Sequence, residues 1–198
     1  MRSQRERNRI ATWCAIHEAA CAIAWEQGPA ATTVEAIAAQ AGVSRRTFFN
    51  YFSTKEDAVL GTRVPEVAEV AIERFRTSDE DELTRVVLLF VAVARTGMPE
   101  STSAQRRQMV AAHPALKNHT GRLIAETERL VTEVIQARFD DVDLASPEED
   151  GRLEALLMLA GVIAKYAFTR YQASSEDDPA EFLRDAIVVF RKVVDTTR

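Results

Sequence analysis

The 198-residue chain is predicted to fold as an all-α protein of nine helices. Glycine and proline, which interrupt regular structure, number only seven and six, while the strong helix formers Ala, Leu, Glu and Arg are abundant. Apolar residues recur at helical spacing, and no stretch shows the two-residue alternation of a β-strand. Apolar residues make up 46% of the chain, so its helices can bury a substantial core.

The first helix is predicted from about Arg5 to Glu26, and Gly28-Pro29 ends it. This helix carries both cysteines of the chain, Cys14 and Cys21. At a rise of about 1.5 Å per residue they lie about 10 Å apart, too far for a disulfide within the chain. Both are therefore expected to be small core residues.

The second and third helices are predicted within the stretch "TTVEAIAAQAGVSRRTFFNYF". Thr32 or Thr33 can cap the second helix by accepting from exposed backbone N–H groups. Gly42 suits the left-handed residue that ends it, and Ser44 can cap the third helix two residues later. The apolar stripe of the second helix consists of Val34, Ile37, Ala38 and Ala41. Two short helices joined by such a turn form a helix-turn-helix.

The fourth helix is predicted over "KEDAVLGTRVPEVAEVAIERF", with Ser53 or Thr54 as its cap. A break or kink is expected between Gly61 and Pro65, because proline lacks an N–H and crowds the preceding turn. This segment joins two predicted domains, residues 1–60 and 61–198. It is either a pivot between them or a static kink.

Five more helices are predicted behind clear start signals. Ser146 and Asp178 can each cap a helix whose first residue is proline and whose third is glutamate. The five helices are expected at about residues 77–95, 102–112, 116–135, 146–172 and 178–194.

The third helix combines two unusual features. Arg45 and Arg46 stand at its start, where a cation opposes the helix dipole and costs about 0.3–1 kcal/mol. Phe48 and Phe52 lie four residues apart and can seal the opposite face against the second helix. In a helix-turn-helix the start of the second helix meets base edges in the DNA major groove, where arginine fits guanine O6 and N7. The pair therefore indicates DNA reading, and the alternative is a solvated basic edge.

Charge and motifs narrow the function classes. Residues 1–63 hold eight Lys or Arg against six Asp or Glu, a net +2, and the rest of the chain brings the total to −5. A weakly basic front on an acidic body is compatible with nucleic-acid binding at one end. The sequence has no run of about 18 apolar residues, so neither a membrane span nor a membrane partner is expected. The charged start "MRSQRERNRI" is not followed by an apolar signal region, so a cytoplasmic location is expected.

Catalytic and metal-binding patterns are absent from the sequence. It has no phosphate-binding glycine loop, no zinc-type His/Cys spacing and no Gly-x-Ser-x-Gly. His113 and His119 lie six residues apart without a nearby Cys or carboxylate cluster, which does not make a metal site. The sequence therefore predicts no enzyme, no catalytic residues, no cofactor and no metal.

Residues 9–58 resemble the N-terminal region of the TetR (tetracycline-repressor) family of bacterial transcriptional regulators. The resemblance is carried by "AA" at 19–20, "EQG" at 26–28 and "ATTVEAIAAQAGVSRRTFFNYFSTKED" at 31–57, and by the spacing among them. It implies a TetR-like fold, with a three-helix DNA-binding domain followed by a helical domain for ligand binding and dimerisation. It also implies three partners: double-stranded operator DNA, a second copy of the chain and a small-molecule effector.

The resemblance assigns roles to individual residues of the first domain. Phosphate contacts fall to Thr33, Ser44 and Lys55, with Tyr51 at the backbone edge. Base reading falls to Arg45, Arg46 and Thr47, with Asn50 beside them. The chain also departs from the family pattern. Phe49 stands where tyrosine is common and is expected to pack on a thymine methyl, Arg46 replaces a frequent glycine, and Ala24-Trp25 stands where a phenylalanine is usual. "MRSQRERNR" is expected as either a minor-groove arm or a disordered basic tail.

The second half of the chain carries no motif, and its predicted sites rest on apolar patterns. Candidates for a ligand pocket are Phe90, Met109, His113, Met158 and Tyr166, although such stripes are also typical of ordinary core. Candidates for a dimer interface in the last two helices are Leu156, Ala160, Gly161, Ile163, Phe182, Ile187 and Phe190. The predicted function is a dimeric repressor that a ligand releases from its operator. An activator or a ligand-independent regulator on the same fold is the alternative.

Overall fold

The computed structural model describes residues 3–138, 150–173 and 179–196, and the regular structure of these residues is helical, with no strand. There are two short 3-10 helices, Glu100–Thr102 and Pro114–His119. The α-helices are α1 Gln4–Gln27, α2 Val34–Gln40, α3 Arg45–Phe49, α4 Lys55–Leu60, α5 Glu69–Thr77, α6 Glu82–Gly97, α7 Ser103–Ala112, α8 Thr120–Arg138, α9 Asp150–Ala173 and α10 Pro179–Thr196. The predicted all-α class is confirmed.

The described residues form ten α-helices, and the prediction of nine was therefore wrong by one. The difference lies in the predicted fourth helix, which is two helices, α4 and α5. Gly61 ends α4 in the left-handed conformation, with φ 62° and ψ 34°, and residues 62–68 are not helical. The expected interruption between Gly61 and Pro65 is thus a full break.

The chain divides into two compact units. The first unit consists of the described residues up to Val64 together with Gly97–Arg122. The second unit consists of Pro65–Thr96 and the described residues from Leu123 onwards. The segment Gly97–Arg122, which the predicted boundary after residue 60 placed with the second domain, thus packs with the helix-turn-helix.

The core of the first unit forms where α1 packs against α2 and α4, α3 packs against α2, and α7 packs against α4. Phe48 has no exposed surface and Phe52 is 2% exposed, so the predicted sealing face of α3 is buried. The other large members of this core are Trp13, Ile16, Ile23, Ile37, Leu60, Met109 and Leu116. Burial of this face fixes the orientation of α3, which is only five residues long.

The C-terminal end of α4 is held by side chains from two other helices. His17 Nδ1 of α1 lies 2.7 Å from the carbonyl oxygen of Ala58, and the Cys21 thiol donates to that of Val59 at 3.3 Å. From α7, Arg106 donates to the Leu60 carbonyl at 3.4 Å. Carbonyl groups in the last turn of a helix have no partner within it, so these contacts satisfy them. They attach α4 to α1 and α7.

The second unit has its own core, formed by α5, the part of α6 up to Thr96, α8 from Leu123, α9 and α10. The largest contact is between α9 and α10. Asp81 caps α6 by accepting from the backbone N–H and the hydroxyl of Thr84, and it pairs with Arg191 of α10. Arg152 of α9 pairs with Glu82 of α6 at 2.5 Å. These ion pairs connect the start of α6 to both final helices.

Candidate nucleic-acid interface

The corner between α2 and α3 is built by local hydrogen bonds that the sequence predicts. Thr33 caps α2 by accepting from the Ala36 N–H at 3.2 Å. Gly42 is left-handed with φ 67°, and the Val43 N–H donates to the Ala38 carbonyl at 2.9 Å. Ser44 then caps α3 by accepting from the Thr47 N–H at 3.0 Å. The caps and the left-handed glycine are confirmed, and they set the angle at which α3 leaves α2.

The outward face of α3 presents the predicted reading residues. Arg45, Arg46, Phe49 and Asn50 are exposed, and Thr47 is half-buried with its hydroxyl 2.9 Å from that of Ser44. Because Phe48 fixes the opposite face, these side chains point away from the core of the unit. The structure therefore brings Arg45, Arg46 and Thr47 together on one short helix, with Asn50 as the residue that ends it.

Arg45 has two neighbours on this surface. Its Nη1 donates to the Glu35 carboxylate at 2.7 Å, and its guanidinium carbon lies 5.6 Å from the centre of the Phe49 ring. Sequence reasoning did not include Glu35 in the site. A signal was present, because Glu35 is the only acidic residue between Glu26 and Glu56.

Three of the predicted phosphate contacts, Thr33, Ser44 and Tyr51, lie at the edges of α2 and α3, where Thr33 and Ser44 are exposed and Tyr51 is half-buried. Lys55 is different, because its ammonium donates to the carbonyls of Pro29, Ala30 and Thr32 at 3.0, 3.1 and 2.8 Å. A lysine ammonium has three donors. Lys55 therefore ties α4 to the loop before α2, and binding a phosphate would require it to release one carbonyl.

The basic N-terminus is helical from Gln4, where α1 begins, so the expectation of a disordered tail was wrong from Gln4 onwards, and the minor-groove arm stays a prediction. Ser3 caps α1 by accepting from the Glu6 N–H at 3.2 Å. The Ser-x-x-Glu spacing of "SQRE" is the start of a capping box, and this signal could have identified the helix. An open groove at this end of α1 is lined by Ser3, Arg5, Glu6, Asn8, Arg9, Thr12 and, from the segment after α3, Tyr51.

Trp25 and Cys21 occupy different environments at the C-terminal half of α1. Trp25 is 49% exposed and lies 6.3 Å from the His113 ring, while Ala24 is buried in the core. Cys21 is buried, and burial together with the charge of Glu18 raises the pKa of its thiol to about 11. The Cys21 thiol is therefore a structural donor. Both cysteines are free, and Cys14 is half-buried.

The predicted pocket residues fall in both units. Met109 and His113 belong to the first unit, where Met109 has no exposed surface. Phe90, Met158 and Tyr166 belong to the second unit, where Phe90 is buried and Met158 is 60% exposed. Tyr166 packs edge-on against Phe190 and accepts from Arg170. The pocket therefore stays a prediction.

The predicted interface residues lie on α9 and α10, but not all of them reach the surface. Ala160 and Ile163 have no exposed surface and Ile187 is 7% exposed, so these three belong to the core of the second unit. Leu156, Gly161, Phe182 and Phe190 are half-buried. The large apolar residues that are exposed on these helices are Met158, Val162, Val188, Val189, Val193 and Val194. Periodicity alone did not separate the two sides of such widely apolar helices.

No group of three or more His, Cys, Asp and Glu side chains among the described residues is placed to hold a metal ion. No helix in the described part of the chain combines the length and the apolar character that a membrane crossing needs.

Comparisons with known proteins identify one segment. The sequence model of the family described as bacterial regulatory proteins, tetR family, matches residues 16–60. No curated protein matches the chain. Among solved structures, a protein described as a tetR family transcription regulator from Shewanella sp. PV-4 is 18% identical with a TM-score of 0.39, covering 90% of this chain and 95% of its own. A protein described as a fatty acid metabolism regulator from Clostridium perfringens is 17% identical with a TM-score of 0.35, covering 86% and 93%.

Proposed function

We propose that the protein, whose residues 16–60 match the bacterial tetR regulatory family, is a sequence-specific transcription regulator that reads operator DNA with α3. The observation that carries the proposal is the division of α3 into two faces. Phe48 is wholly buried, while Arg45, Arg46 and Asn50 are exposed. A short helix anchored in this way can enter the major groove and place arginines at guanine edges.

Phosphate contacts around α3 position the helix without specifying sequence. Thr33 and Ser44 stand at the starts of α2 and α3, where exposed N–H groups attract anions. Tyr51 faces the groove beside the basic first turns of α1. We assign the phosphate contacts to these residues and to Arg5, which also lines that groove. Lys55 is a further candidate that binds three carbonyls in the absence of DNA.

A homodimer is the proposed assembly. Two recognition helices must reach successive major grooves about 34–36 Å apart, which a single copy cannot do. The large exposed apolar residues of α9 and α10, among them Met158, Val162 and Val188, are 40–60% exposed. Exposed apolar side chains on two helices that pack together are typical of an interface, and two copies of α9 and α10 would form a four-helix bundle.

The proposed response is release from the operator when a small molecule binds the second unit. A ligand shifts the balance between two conformations only by its differential affinity for them. Tyr166 and Phe90 are the candidate contacts that remain in this unit's own core. An activator or a ligand-independent regulator would use the same DNA-binding surface. Transcript levels in a deletion strain separate them, since target genes rise when a repressor is lost and fall when an activator is lost.

The DNA-binding proposal is tested by selecting sequences from a pool of random duplexes with the purified full-length chain. One sequence, organised as two half-sites, should be enriched. Arg45→Ala should weaken binding to that sequence by roughly 1–3 kcal/mol and relax the preference at one position in each half-site. Failure of the parent protein to enrich any sequence at low ionic strength would refute the proposed function.

The dimer is tested by Val162→Glu, which places a charge on the exposed face of α9 and should yield a monomer in sedimentation. Arg74→Glu, at an exposed position of α5 outside the two proposed interface helices, is a charge-changing control that should leave the assembly unchanged. A parent protein that sediments as a monomer would refute the assembly.

A further inference from the structure

Arg45 lies between an acid of the preceding helix and a ring of its own helix. Its Nη1 is 2.7 Å from Glu35 Oε1, and its guanidinium carbon is 5.6 Å from the centre of the Phe49 ring. The side chains of Arg45 and Glu35 are 67% and 63% exposed. The arrangement therefore holds Arg45 in one direction on the surface that faces DNA in the proposed function.

Stability does not account for this pair. An exposed ion pair contributes about 0–1 kcal/mol. An acid in the first turn of a helix adds about 0.3–1 kcal/mol through its interaction with the helix dipole. An acid at another position in the first turn of α2 would provide the same stabilisation. Glu35 is nevertheless the only acidic residue between Glu26 and Glu56, in the segment that forms the whole helix-turn-helix.

A carboxylate at this place also opposes DNA binding in general. Non-specific affinity comes from contacts with phosphates, and a negative charge close to them lowers it. Glu35 additionally occupies a cation that could otherwise bind any phosphate. Both effects weaken binding to DNA of every sequence. Glu35 can therefore raise specificity only if it weakens binding least at the sequences that Arg45 reads well.

We propose that Glu35 is a specificity-determining residue that acts by positioning Arg45, an inference that rests on the proposed function. With Nη1 bound to Glu35, the Nε and Nη2 side of the guanidinium is left for a partner with two acceptors. Guanine offers such a pair in O6 and N7. Guanine is thus bound without breaking the ion pair. A phosphate or another base is bound only against the charge of Glu35 or after the pair breaks.

The experiment compares two affinities for each variant of the full-length protein. One duplex is the sequence that the parent enriches from a random pool, and the other is an unrelated duplex of equal length. Glu35→Gln keeps the size and the acceptor oxygen but removes the charge. It should bind the unrelated duplex more tightly and lower the ratio of the two affinities about five- to tenfold, within what one bidentate contact provides.

Two further variants identify the route of the effect. Selection with Glu35→Gln should relax the preference at the same base pair as selection with Arg45→Ala. The double variant should discriminate no worse than Arg45→Ala alone, because Glu35 acts through Arg45. Glu26→Gln is the matched control, since it removes one charge from an exposed position of α1. It should strengthen binding to both duplexes alike and leave their ratio unchanged.

The possible outcomes distinguish failure of the role proposed for Glu35 from failure of the proposed DNA-binding function. An unchanged ratio with Glu35→Gln, or relaxed preference at a different base pair, would overturn the inference and leave DNA reading intact. A parent that enriches nothing would overturn both. Circular dichroism confirms folding of each variant. Arg45→Lys provides a second approach, because it keeps the charge but lacks the planar fork and should relax the same base pair.

Discussion

Replacing Gly61 by alanine is expected to destabilise the first unit by about 2–5 kcal/mol. Gly61 ends α4 with φ 62°, a left-handed conformation that costs an ordinary residue roughly 1–2 kcal/mol. A Cβ at this position would lie 2.8 Å from His17 Cε1 and 3.0 Å from Thr102 Cβ and Cγ2. Neither neighbour yields easily, because His17 is bound to the Ala58 carbonyl and Thr102 Cβ adjoins the backbone. Overpacking of this kind costs typically 1–3 kcal/mol.

Gly42 provides a matched control for the backbone contribution. Its φ is 67°, close to that of Gly61, but a Cβ there would meet no atom within 4 Å. Gly42→Ala should therefore cost only about 1–2 kcal/mol. Both changes restrict the unfolded chain equally, so the difference between them isolates the contacts with His17 and Thr102.

Urea unfolding followed by tryptophan fluorescence measures this difference. The chain has two tryptophans, and both Trp13 and Trp25 belong to the first unit, so the signal reports on the unit that is perturbed. The difference of about 1–3 kcal/mol corresponds to roughly 2–12 °C in Tm for a chain of this size. In a His17→Ala background the cost of Gly61→Ala should fall. A Gly61→Ala variant no less stable than Gly42→Ala would refute the reasoning.

Three further predictions concern charged and reactive groups. Lys55→Ala should lower the stability of the first unit by about 2–3 kcal/mol even without DNA, because three carbonyls lose a charged donor; urea unfolding measures this, and unchanged stability would contradict the assigned contacts. Partial burial would raise the pKa of Asp81, but hydrogen bonds from Thr84 and Arg191 outweigh it and hold the pKa below its ordinary value. The stabilisation by Asp81 should thus be complete above about pH 4 and vanish as the pH falls through the lower folded-state value, and Asp81→Asn should remove this part of the acid dependence of Tm. Iodoacetamide at about pH 8 should leave Cys21 unmodified in the folded protein, because burial raises the pKa of its thiol to about 11. The same reagent should modify Cys21 once urea unfolds the chain. Rapid labelling of Cys21 without urea would contradict its burial.

The helix-turn-helix could be predicted from sequence because its determinants are local. Thr33, Ser44 and Thr54 cap the three helices as expected, and Thr54 forms a full capping box with Asp57. Gly42 has the positive φ that its place in the turn requires. Each of these features depends on residues within four positions of one another. The exposed face of α3 followed directly, because Phe48 fixes the buried one.

Contacts between parts of the chain that are distant in sequence could not be predicted. Arg106 would be expected at the surface from its type, yet it is 4% exposed and bonds the end of α4, 46 residues earlier. Burial, with a further contribution from Arg107, lowers its pKa to about 10. The pairing of Arg45 with Glu35 crosses a turn and has no periodic signature. The capping signals predicted at Ser146 and Asp178 lie outside the described residues.

The attachment of α4 has a practical consequence for building hybrid regulators. To fuse this helix-turn-helix to the ligand-binding domain of another protein, one would naturally cut the gene after residue 60. Such a fragment would lack Arg106, the donor for the Leu60 carbonyl, and Thr102, which packs against Gly61. The unit to be transferred is therefore discontinuous in sequence, and a fusion protein must include Gly97–Arg122 together with the first 64 residues.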